Sequence, residues 1–265
     1  MRCYRAVNTI PAFVRSLWRK LSDWLPHGPG DVFLQIGLFV MADLVYETVR
    51  GVAEGQRAEA FANANSVIDI EKSTGTFFEP NLQSALIDHR WIVDTANFMY
   101  MNSHFVLTTG FLVWLYLCRN KNFYFVRNMF MVAMALAIVG YVLVPTAPPR
   151  LFPGEGFVDT ISAYSGVNHD SALVKVFINP YAAIPSMHCA FSLMIGVSGV
   201  LLTKHTITKI FWGLYPLLVF SVVVVTANHF WIDGALGWMV ASLSAVIAFQ
   251  FARVRPSWAW RTATA

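Results

Sequence analysis

The sequence is poor in charged residues and in cysteine. Asp, Glu, Lys and Arg account for only 13% of its 265 residues, whereas 56% are hydrophobic. Soluble globular domains carry about 25% charged residues, so this composition argues against a water-soluble fold and for a membrane protein. The three cysteines, Cys3, Cys118 and Cys189, are scattered and form no Cys-x-x-Cys pair. Their spacing excludes a disulfide framework and a cysteine-based metal site.

Long apolar runs are what the sequence does have. Six of them can each cross a hydrocarbon core of about 30 Å, which predicts an all-α, polytopic membrane protein built as a six-transmembrane-helix bundle. The first 29 residues lack the apolar core and the cleavage site of a signal peptide, so we expect the first run to act as the insertion signal. The predicted spans are residues 31–50, 92–117, 128–145, 184–202, 208–226 and 233–252.

The distribution of Lys and Arg predicts the orientation of the spans. The two terminal segments and the second and fourth connections hold 13 of the 19 basic residues. Because short cytoplasmic segments are enriched in Lys and Arg, we expect these four segments in the cytoplasm and both termini inside. The four segments are residues 1–30, 118–127, 203–209 and 253–265.

Two regions outside the spans carry helical patterns of their own. Apolar and basic residues take opposite sides in residues 9–25, which predicts an N-terminal amphipathic helix on the inner leaflet; an ordinary basic flank is the alternative. In residues 51–91, Gly75 can end one helix and Pro80 can begin another, so an outer-face helical lid is predicted, either as a structural cap or for lipid access. The predicted map is residues 1–30 for the cytoplasmic interfacial helix, 31–252 for the six-span domain with the lid at 51–91, and 253–265 for a cytoplasmic tail.

Two short segments carry polar groups where apolar residues would be energetically cheaper. The first, residues 183–188 with the sequence Ala-Ile-Pro-Ser-Met-His, begins the fourth predicted span. Pro185 is expected in the first helical turn, which places Ser186 to His188 at a helix N-terminus. Free backbone N–H groups at such an end favour an anion.

The second segment, residues 226–233, contains His229 and Asp233. At this spacing on one helical face, the Asp233 carboxylate can hold a ring N–H of His229 and fix its tautomer, as for an oriented nucleophile. Because the fourth span runs inward and the fifth runs outward, His188 and His229 are expected at the same depth near the outer interface. A zinc site made by these three residues and a purely structural role in helix packing are the alternatives.

Arg150 follows a proline-rich stretch, residues 145–149, on the same predicted outer face. This rigid stretch would hold the guanidinium just outside the membrane, where two N–H groups can bind one phosphate. An arginine that only anchors the interface is the alternative. We therefore predict Arg150, Ser186 and Met187 as phosphate-binding residues beside the catalytic candidates His188, His229 and Asp233.

These pieces, in this order, resemble the type 2 phosphatidic acid phosphatase superfamily of membrane lipid phosphatases, in particular the branch similar to inositol phosphorylceramide synthases. The matching motifs are Pro148-Pro149-Arg150, the stretch from Asn179 to His188, and His229-x-x-x-Asp233. Residues 58–104 look like the same branch, through Glu71, Gly75, Glu79-Pro80, Asn97, Tyr100 and His104.

The resemblance implies phosphoryl transfer without a metal or any other cofactor. His229 would attack phosphorus to form a phosphohistidine while Asp233 orients it. His188 would protonate the leaving alcohol and then activate water or an acceptor hydroxyl, and such acid–base help is worth about 10²- to 10⁴-fold. Arg150 and the helix N-terminus would stabilise charge on the equatorial oxygens.

The sequence departs from the superfamily pattern where cations are usual. Leu143 stands at the position of a Lys, Val222 and Val223 at those of a Ser-Arg pair, and Met187 replaces a Gly. A single Arg balances a phosphomonoester dianion less well than a singly charged phosphodiester. Transfer from a phospholipid headgroup therefore stays open.

Further polar residues are candidates for supporting roles: Asn179, Tyr181, His104 and Lys175. Lys175, Lys72 and Arg90 on the outer loops could replace the missing positive charge; an ordinary solvated surface residue is the alternative for each. Ionisable groups within a membrane are functional candidates by default, so Asp43 and His104 are expected as bundle supports or as polar groups of a lipid pocket.

The predicted function is that of an integral membrane lipid phosphatase or phosphotransferase at the extracytoplasmic face of the cell membrane. Its substrate would be a lipid phosphate, a prenyl diphosphate or a phospholipid headgroup. The alternatives are a headgroup transferase similar to inositol phosphorylceramide synthases and a non-enzymatic lipid transporter or scramblase. The expected partners are the lipid substrate and the bilayer, with no nucleic acid and no metal.

Overall fold

The computed structural model describes residue 22 and residues 25–52, 56–164 and 181–254. Across these ranges the chain is helical, and the only β-type contact is an isolated bridge between Thr146 and Ala182. Most of the predicted N-terminal amphipathic helix, the candidates Asn179 and Lys175, and nearly all of the predicted tail lie outside the described residues.

The described residues form ten α-helices, which are numbered here in chain order. They are α1 (Gly28–Val52), α2 (Arg57–Ser73), α3 (Glu79–Ile87), α4 (Arg90–Phe98), α5 (His104–Cys118), α6 (Asn120–Leu143), α7 (Thr160–Tyr164), α8 (Met187–Leu202), α9 (Thr206–Val225) and α10 (Trp231–Val254). A π-turn at Met99–Ser103 joins α4 to α5. Two 3₁₀ turns, Pro149–Leu151 and Pro153–Glu155, follow α6.

Four of the described helices, α1, α6, α9 and α10, are long and apolar enough to cross a membrane. A fifth candidate is the pair α4 and α5, which is bent by 47° at the π-turn. Helix α8 is apolar but has only 16 residues. By length and composition the described chain thus has four or five candidate spans, and the predicted count of six depends on α8.

Helix α8 lies at the centre of the bundle and packs against α6, α9 and α10. Glycines on α8 permit the close approach of α9: a Cβ on Gly199 would lie 2.3 Å from the Trp212 ring, and one on Gly196 would lie 2.7 Å from Pro216 Cγ. Large hydrophobic side chains on the other faces of the long helices are exposed, among them Phe33 and Ile207. Such exposure is what helices in contact with lipid require.

A second layer covers one end of the bundle and is made of α2, α3, α7 and the connection after α6. The face of α2 formed by Ala60, Ala64, Val67 and Ile68 is buried against this connection and against Phe230. Gly75 follows α2 with a φ of 70°, and Pro80 lies in the first turn of α3. The helices expected in the lid region are therefore present, and they pack directly on the segments that carry the predicted site.

Candidate active site

The start of α8 places His188 in the first turn of a buried helix. Ser186 is the N-cap residue and is fully buried. Pro185 lies before this cap, and not in the first turn as predicted, with the Ile184–Pro185 peptide in the cis form. The Tyr141 hydroxyl of α6 donates a hydrogen bond to the Pro185 carbonyl at 3.1 Å, which ties this end of α8 to the bundle.

The junction between α9 and α10 places His229. The backbone N–H groups of Asn228 and His229 both donate to the Val223 carbonyl, at 3.1 and 3.2 Å. Ala227 has a φ of 52°, a left-handed conformation that costs a non-glycine residue about 1 kcal/mol. His229 therefore lies just before α10, not on a shared helical face with Asp233 as predicted, while Asp233 lies in the first turn of α10.

His229 and Asp233 nevertheless lie side by side. Nδ1 of His229 is 3.4 Å from Oδ2 of Asp233, which is ion-pair distance but long for a hydrogen bond. The same Oδ2 accepts the Phe230 N–H at 3.0 Å. Burial lowers the pKa of His229 to about 3, and the positive charge of Arg150 adds to the effect, while the Ala183 backbone opposes it. The imidazole is therefore neutral at physiological pH and keeps a lone pair on one ring nitrogen.

The His188 ring faces His229 at 6.1 Å between ring centroids. Two aromatic side chains from the opposite wall hold the other side of His188: Tyr100 stacks on it at 4.4 Å, and His104 packs at 4.8 Å. Nδ1 of His104 lies 3.4 Å from the Tyr215 hydroxyl. The structure thus brings the two predicted histidines together and adds His104 as a third.

Arg150 is docked on the junction that carries His229. Its backbone N–H donates to the Ala227 carbonyl at 2.8 Å, and its guanidinium Nη1 donates to Oδ1 of Asn228 in a short hydrogen bond. The side chain is 9% exposed. A buried guanidinium fixed in this way has a defined orientation at the wall of the cavity.

A cavity of about 220 Å³ unites these groups. Arg150, His188 and His229 line it together with Met187 and Asn228. Asp43 and Tyr46 of α1, with His104 of α5, line it as well. The volume is below the roughly 300 to 1,000 Å³ of pockets that enclose a whole ligand, so it suits a polar headgroup whose apolar tails stay in the lipid.

The residues that stand in place of the usual Lys and of the usual Ser-Arg pair are Leu143, Val222 and Val223. Leu143 is 69% exposed at the end of α6, and Val222 and Val223 are buried in α9. Lys72 pairs with Glu155 at 2.6 Å on the outer surface.

Arg90 binds the Asp94 carboxylate at 2.9 and 3.1 Å and the Tyr164 carbonyl at 3.2 Å. Arg90 and Lys72 are therefore engaged elsewhere, and Arg150 is the cation that lines the cavity among the described residues.

Two other predicted residues take positions that differ from their expected roles. The Tyr181 ring packs against Phe61 at 6.3 Å, and the Tyr181 carbonyl accepts the Thr146 N–H at 2.8 Å. Oγ of Ser186 is buried outside hydrogen-bonding geometry of any partner in the described structure. Tyr181 thus supports the connection after α6, whereas Ser186 occupies the N-cap position of the helix that carries His188 without a side-chain capping bond.

Several residues that contact the site were not predicted as site residues from the sequence. Asn228 fixes Arg150, Tyr100 stacks on His188, and Glu71 and Glu79 are fully buried next to the first turn of α10. A signal for Glu71 was available, because it follows Ala64 by seven residues and Ile68 by three. This spacing places an acid on the apolar face of α2.

Comparison with known proteins identifies a superfamily. No curated protein and no solved structure matches the chain significantly. The sequence model of the PAP2 superfamily matches residues 65–247, about two thirds of the chain, and this match includes Arg150, His188, His229 and Asp233. Members of the superfamily are phosphatases and phosphotransferases. The resemblance inferred from the motifs is confirmed at the level of the superfamily, and the chain belongs to the PAP2 superfamily.

Proposed function

We propose that the protein is a lipid phosphatase or phosphotransferase of the cell membrane, which transfers a phosphoryl group through a phosphohistidine on His229. One observation carries the proposal: a neutral His229, with Asp233 behind its Nδ1, shares one cavity with Arg150 and His188. A nucleophile, an orienting acid, a second histidine and an anion-binding guanidinium are the parts that phosphoryl transfer requires.

In the first half of the reaction, the Nε2 lone pair of His229 attacks phosphorus as the bond to the leaving oxygen breaks. A protonated His188 gives its proton to that oxygen, so the product leaves as a neutral alcohol. Asp233 accepts the Nδ1–H bond of His229 and stabilises the positive charge on the ring. Arg150 and the N-terminus of α8 stabilise the negative charge on the equatorial oxygens.

In the second half, the now neutral His188 takes a proton from water or from an acceptor alcohol. The resulting oxygen nucleophile attacks phosphorus, the N–P bond breaks, and both histidines return to their starting protonation states. Every proton and charge has a side chain assigned to it, which supports a metal-independent reaction. In the described ranges, no group of three or more His, Cys, Asp or Glu side chains is arranged as metal ligands.

A narrower candidate is headgroup transfer from a phosphodiester, as in inositol phosphorylceramide synthases. Among the described residues, the cavity is lined by one guanidinium, Arg150, and one carboxylate, Asp43. With the protonated His188 that the mechanism requires and a neutral His229, the formal charge of these groups is +1, so the second charge of a phosphomonoester is poorly balanced. A single positive charge favours a monoanionic phosphodiester.

The proposed topology has six spans, both termini in the cytoplasm and the cavity at the extracytoplasmic face. Helix α8 has 16 residues, which is about 24 Å of helix. The segments before Met187 and after Leu202 would complete its crossing. The excess of Lys and Arg at the termini and near residues 203–209 supports this orientation.

The deciding experiment measures phosphate release and headgroup transfer by the purified protein in lipid nanodiscs, with and without EDTA and vanadate. We expect EDTA to have no effect, vanadate to inhibit, and His229→Ala to lower the rate by at least about 10³-fold. His205→Ala, at the exposed start of α9, is the matched control. Full activity of His229→Ala, or loss of activity with EDTA, would contradict the mechanism.

If the protein is a lipid transporter, the same preparation should show lipid flux without catalysis. Lipid flux that survives both His188→Ala and His229→Ala, without phosphate release, would show that the protein moves lipids and does not cleave them. Phosphohistidine trapped by rapid quenching of the wild type, and absent from His229→Ala, would exclude that alternative.

Asp43→Asn tests the headgroup proposal. Because removal of this carboxylate raises the formal charge of the cavity from +1 to +2, the variant should raise the rate on a phosphomonoester relative to a phosphodiester by about fivefold or more. Asp88→Asn, in the exposed connection between α3 and α4, should leave the ratio unchanged. An unchanged ratio in Asp43→Asn would argue against a role of Asp43 in substrate choice.

Cysteine labelling of intact cells tests the topology in a Cys118→Ser background. A cysteine at Lys204, between α8 and α9, should be protected from an impermeant maleimide, and one at Asp88 should react. The reverse pattern would overturn the orientation.

A further inference from the structure

The first turn of α10, immediately after His229, is capped by three carboxyl groups. The first N–H groups of a helix have no partner within the helix, and negative charge is favoured at this end. Three consecutive N–H groups each face one carboxyl group here. The contacts are Phe230 N–H to Asp233 Oδ2 at 3.0 Å, Trp231 N–H to Glu79 Oε1 at 3.1 Å, and Ile232 N–H against the Glu71 carboxyl group.

These three carboxyl groups are buried together. Glu71 from α2, Glu79 from α3 and Asp233 from α10 are each 0% exposed. Both oxygens of Glu71, Oε2 of Glu79 and Oδ1 of Asp233 lie outside hydrogen-bonding geometry of any donor in the part of the chain that the structure describes. Lys72 follows Glu71 in sequence but is bound to Glu155 on the surface.

Three buried carboxylates without a cation cannot all be ionised at reasonable cost. The Glu71 and Glu79 carboxyl groups are close enough to hydrogen-bond to one another once one of them carries a proton. Burial raises the pKa of Glu71 to about 9, and the charges of Glu79 and then Asp233 add to the effect. One proton therefore resides on the Glu71–Glu79 pair at physiological pH.

The same turn of α10 holds both histidines of the site. Oδ2 of Asp233 lies 3.4 Å from Nδ1 of His229. The Asp233 carbonyl accepts the Ser186 N–H at 3.0 Å, two residues before His188. A shift of this turn would move both histidines.

We propose that Glu71 and Glu79 are positioning residues of this site, which share one proton as a carboxyl–carboxylate pair and hold the first turn of α10 beneath His229. Burial of Asp233 disfavours its charge, and the pair gives the proton a place other than Asp233, so that Asp233 can accept the His229 Nδ1–H bond as a carboxylate. The other titratable groups that face Asp233 are His229 and, from α8, the Cys189 thiol. The catalytic consequence rests on the proposed function, whereas the shared proton and the placement of His229 belong to the resting protein.

Infrared spectroscopy of the full-length protein in nanodiscs tests the shared proton. The difference spectrum between about pH 7 and about pH 10 should lose a carboxylic-acid C=O band as the pair ionises, since its proton leaves near pH 9. Glu71→Gln keeps the shape of the side chain and an N–H donor for Glu79 but cannot ionise, so this band should be absent. Glu155→Gln, the surface partner of Lys72, should keep the band. A band that survives in Glu71→Gln would overturn the proposal.

Carbethoxylation of His229 by diethylpyrocarbonate, measured on the peptide by mass spectrometry, tests the placement without any substrate. In the wild type the rate should rise several-fold above about pH 9, whereas in Glu71→Gln it should stay low throughout. Glu79→Ala, which removes the acceptor of the Trp231 N–H, should raise the rate at every pH. Unchanged labelling in both variants would overturn the proposal, and Glu71→Gln decides it alone if Glu79→Ala does not fold.

The outcomes separate this inference from the proposed reaction. If the wild type shows no phosphoryl transfer but the infrared and labelling patterns appear, the proposed function fails and the positioning role stands. If His229-dependent transfer is found while Glu71→Gln keeps the wild-type band and labelling, the positioning role fails and the function stands.

Discussion

Two buried polar networks lie at opposite ends of the bundle and differ in how their hydrogen bonds are made. At the end where α1 begins, the Asp31 carboxylate accepts bonds from Gln35, Tyr116 and Tyr124 at 3.0, 2.9 and 2.7 Å. The Gln35 side chain in turn accepts a bond from Arg127 at 2.7 Å. This network joins α1, α5 and α6 through direct contacts between complementary groups.

The network at the other end surrounds the cavity and leaves several buried atoms outside hydrogen-bonding geometry in the described structure. These atoms include Nδ1 of His229, Nε2 of His104 and Oγ of Ser186. Buried polar groups are nearly always paired, so unpaired ones need an explanation such as a catalytic role or a missing ligand. Polar groups within the membrane thus hold helices together at one end and, under the proposed function, are arranged for chemistry at the other.

The largest expected effect comes from Asp233→Asn. The amide presents an N–H where His229 needs an acceptor, so the ring would adopt the wrong tautomer and the rate should fall by about 10³- to 10⁴-fold. Steady-state phosphoryl transfer measures the loss, and size-exclusion chromatography confirms that the variant is folded. A rate within tenfold of the wild type would contradict the proposal that the network at the cavity serves catalysis whereas the network at Asp31 serves stability.

Gly237→Ala should have the next largest effect. A Cβ at this position would lie 2.2 Å from the Ser186 carbonyl oxygen, so α8 and α10 would have to separate next to both histidines. We expect a loss of about 10- to 100-fold in kcat, because small misplacements of reacting groups are costly. Gly110→Ala, where a Cβ meets no atom within 4 Å, is the control and should be as active as the wild type.

Asp31→Asn should change stability and leave the rate unchanged. Loss of the charged acceptor weakens three hydrogen bonds and should cost about 1 to 3 kcal/mol of unfolding free energy. Thermal unfolding in detergent measures this change, and kcat should stay within about twofold of the wild type. A loss of activity at full stability would mean that the two networks are coupled.

The pH dependence of stability should differ between the wild type and Glu71→Gln. The raised pKa of Glu71 means that the native state binds more protons than the unfolded state between the ordinary pKa of 4.5 and about 9. Stability contributed by this group is therefore full below that window and falls as pH rises through it. Glu71→Gln should melt a few degrees higher than the wild type at pH 8 and show no such gain at pH 4.

The smallest effect is expected for Lys72→Met. Its ion pair with Glu155 joins side chains that are 46% and 33% exposed. Such surface pairs contribute at most about 1 kcal/mol, and activity should stay within about twofold. A large loss of activity would instead assign Lys72 to the missing positive charge of the site.

The predicted spans match the observed helices best where the apolar run extends along the whole helix. The predicted spans 208–226 and 233–252 lie within two residues of α9 and α10. By contrast, α6 begins at Asn120, eight residues before the predicted span, because hydropathy does not register the polar turns that continue a helix out of the membrane.

Site residues were predictable by type but not always by conformation. His188, His229 and Arg150 stood out because polar groups in an apolar setting are costly, and the structure brings them into one cavity. The placement of His229 ahead of α10 was not predictable, because residues 226–230 form a turn between α9 and α10 and the helix begins only at Trp231. Asn179 and Lys175 lie outside the described residues.

The π-turn at Met99–Ser103 adds one residue to the path of the chain between α4 and α5. The His104 N–H bonds to the Met99 carbonyl, five residues back, where an α-helix would bond four back. A π-turn is in effect an α-helix with one extra residue, and Tyr100 within it and His104 at its end both contact His188. Relatives that lack the extra residue would present a different side chain to His188, so this region should be aligned with a one-residue gap and not by residue identity alone.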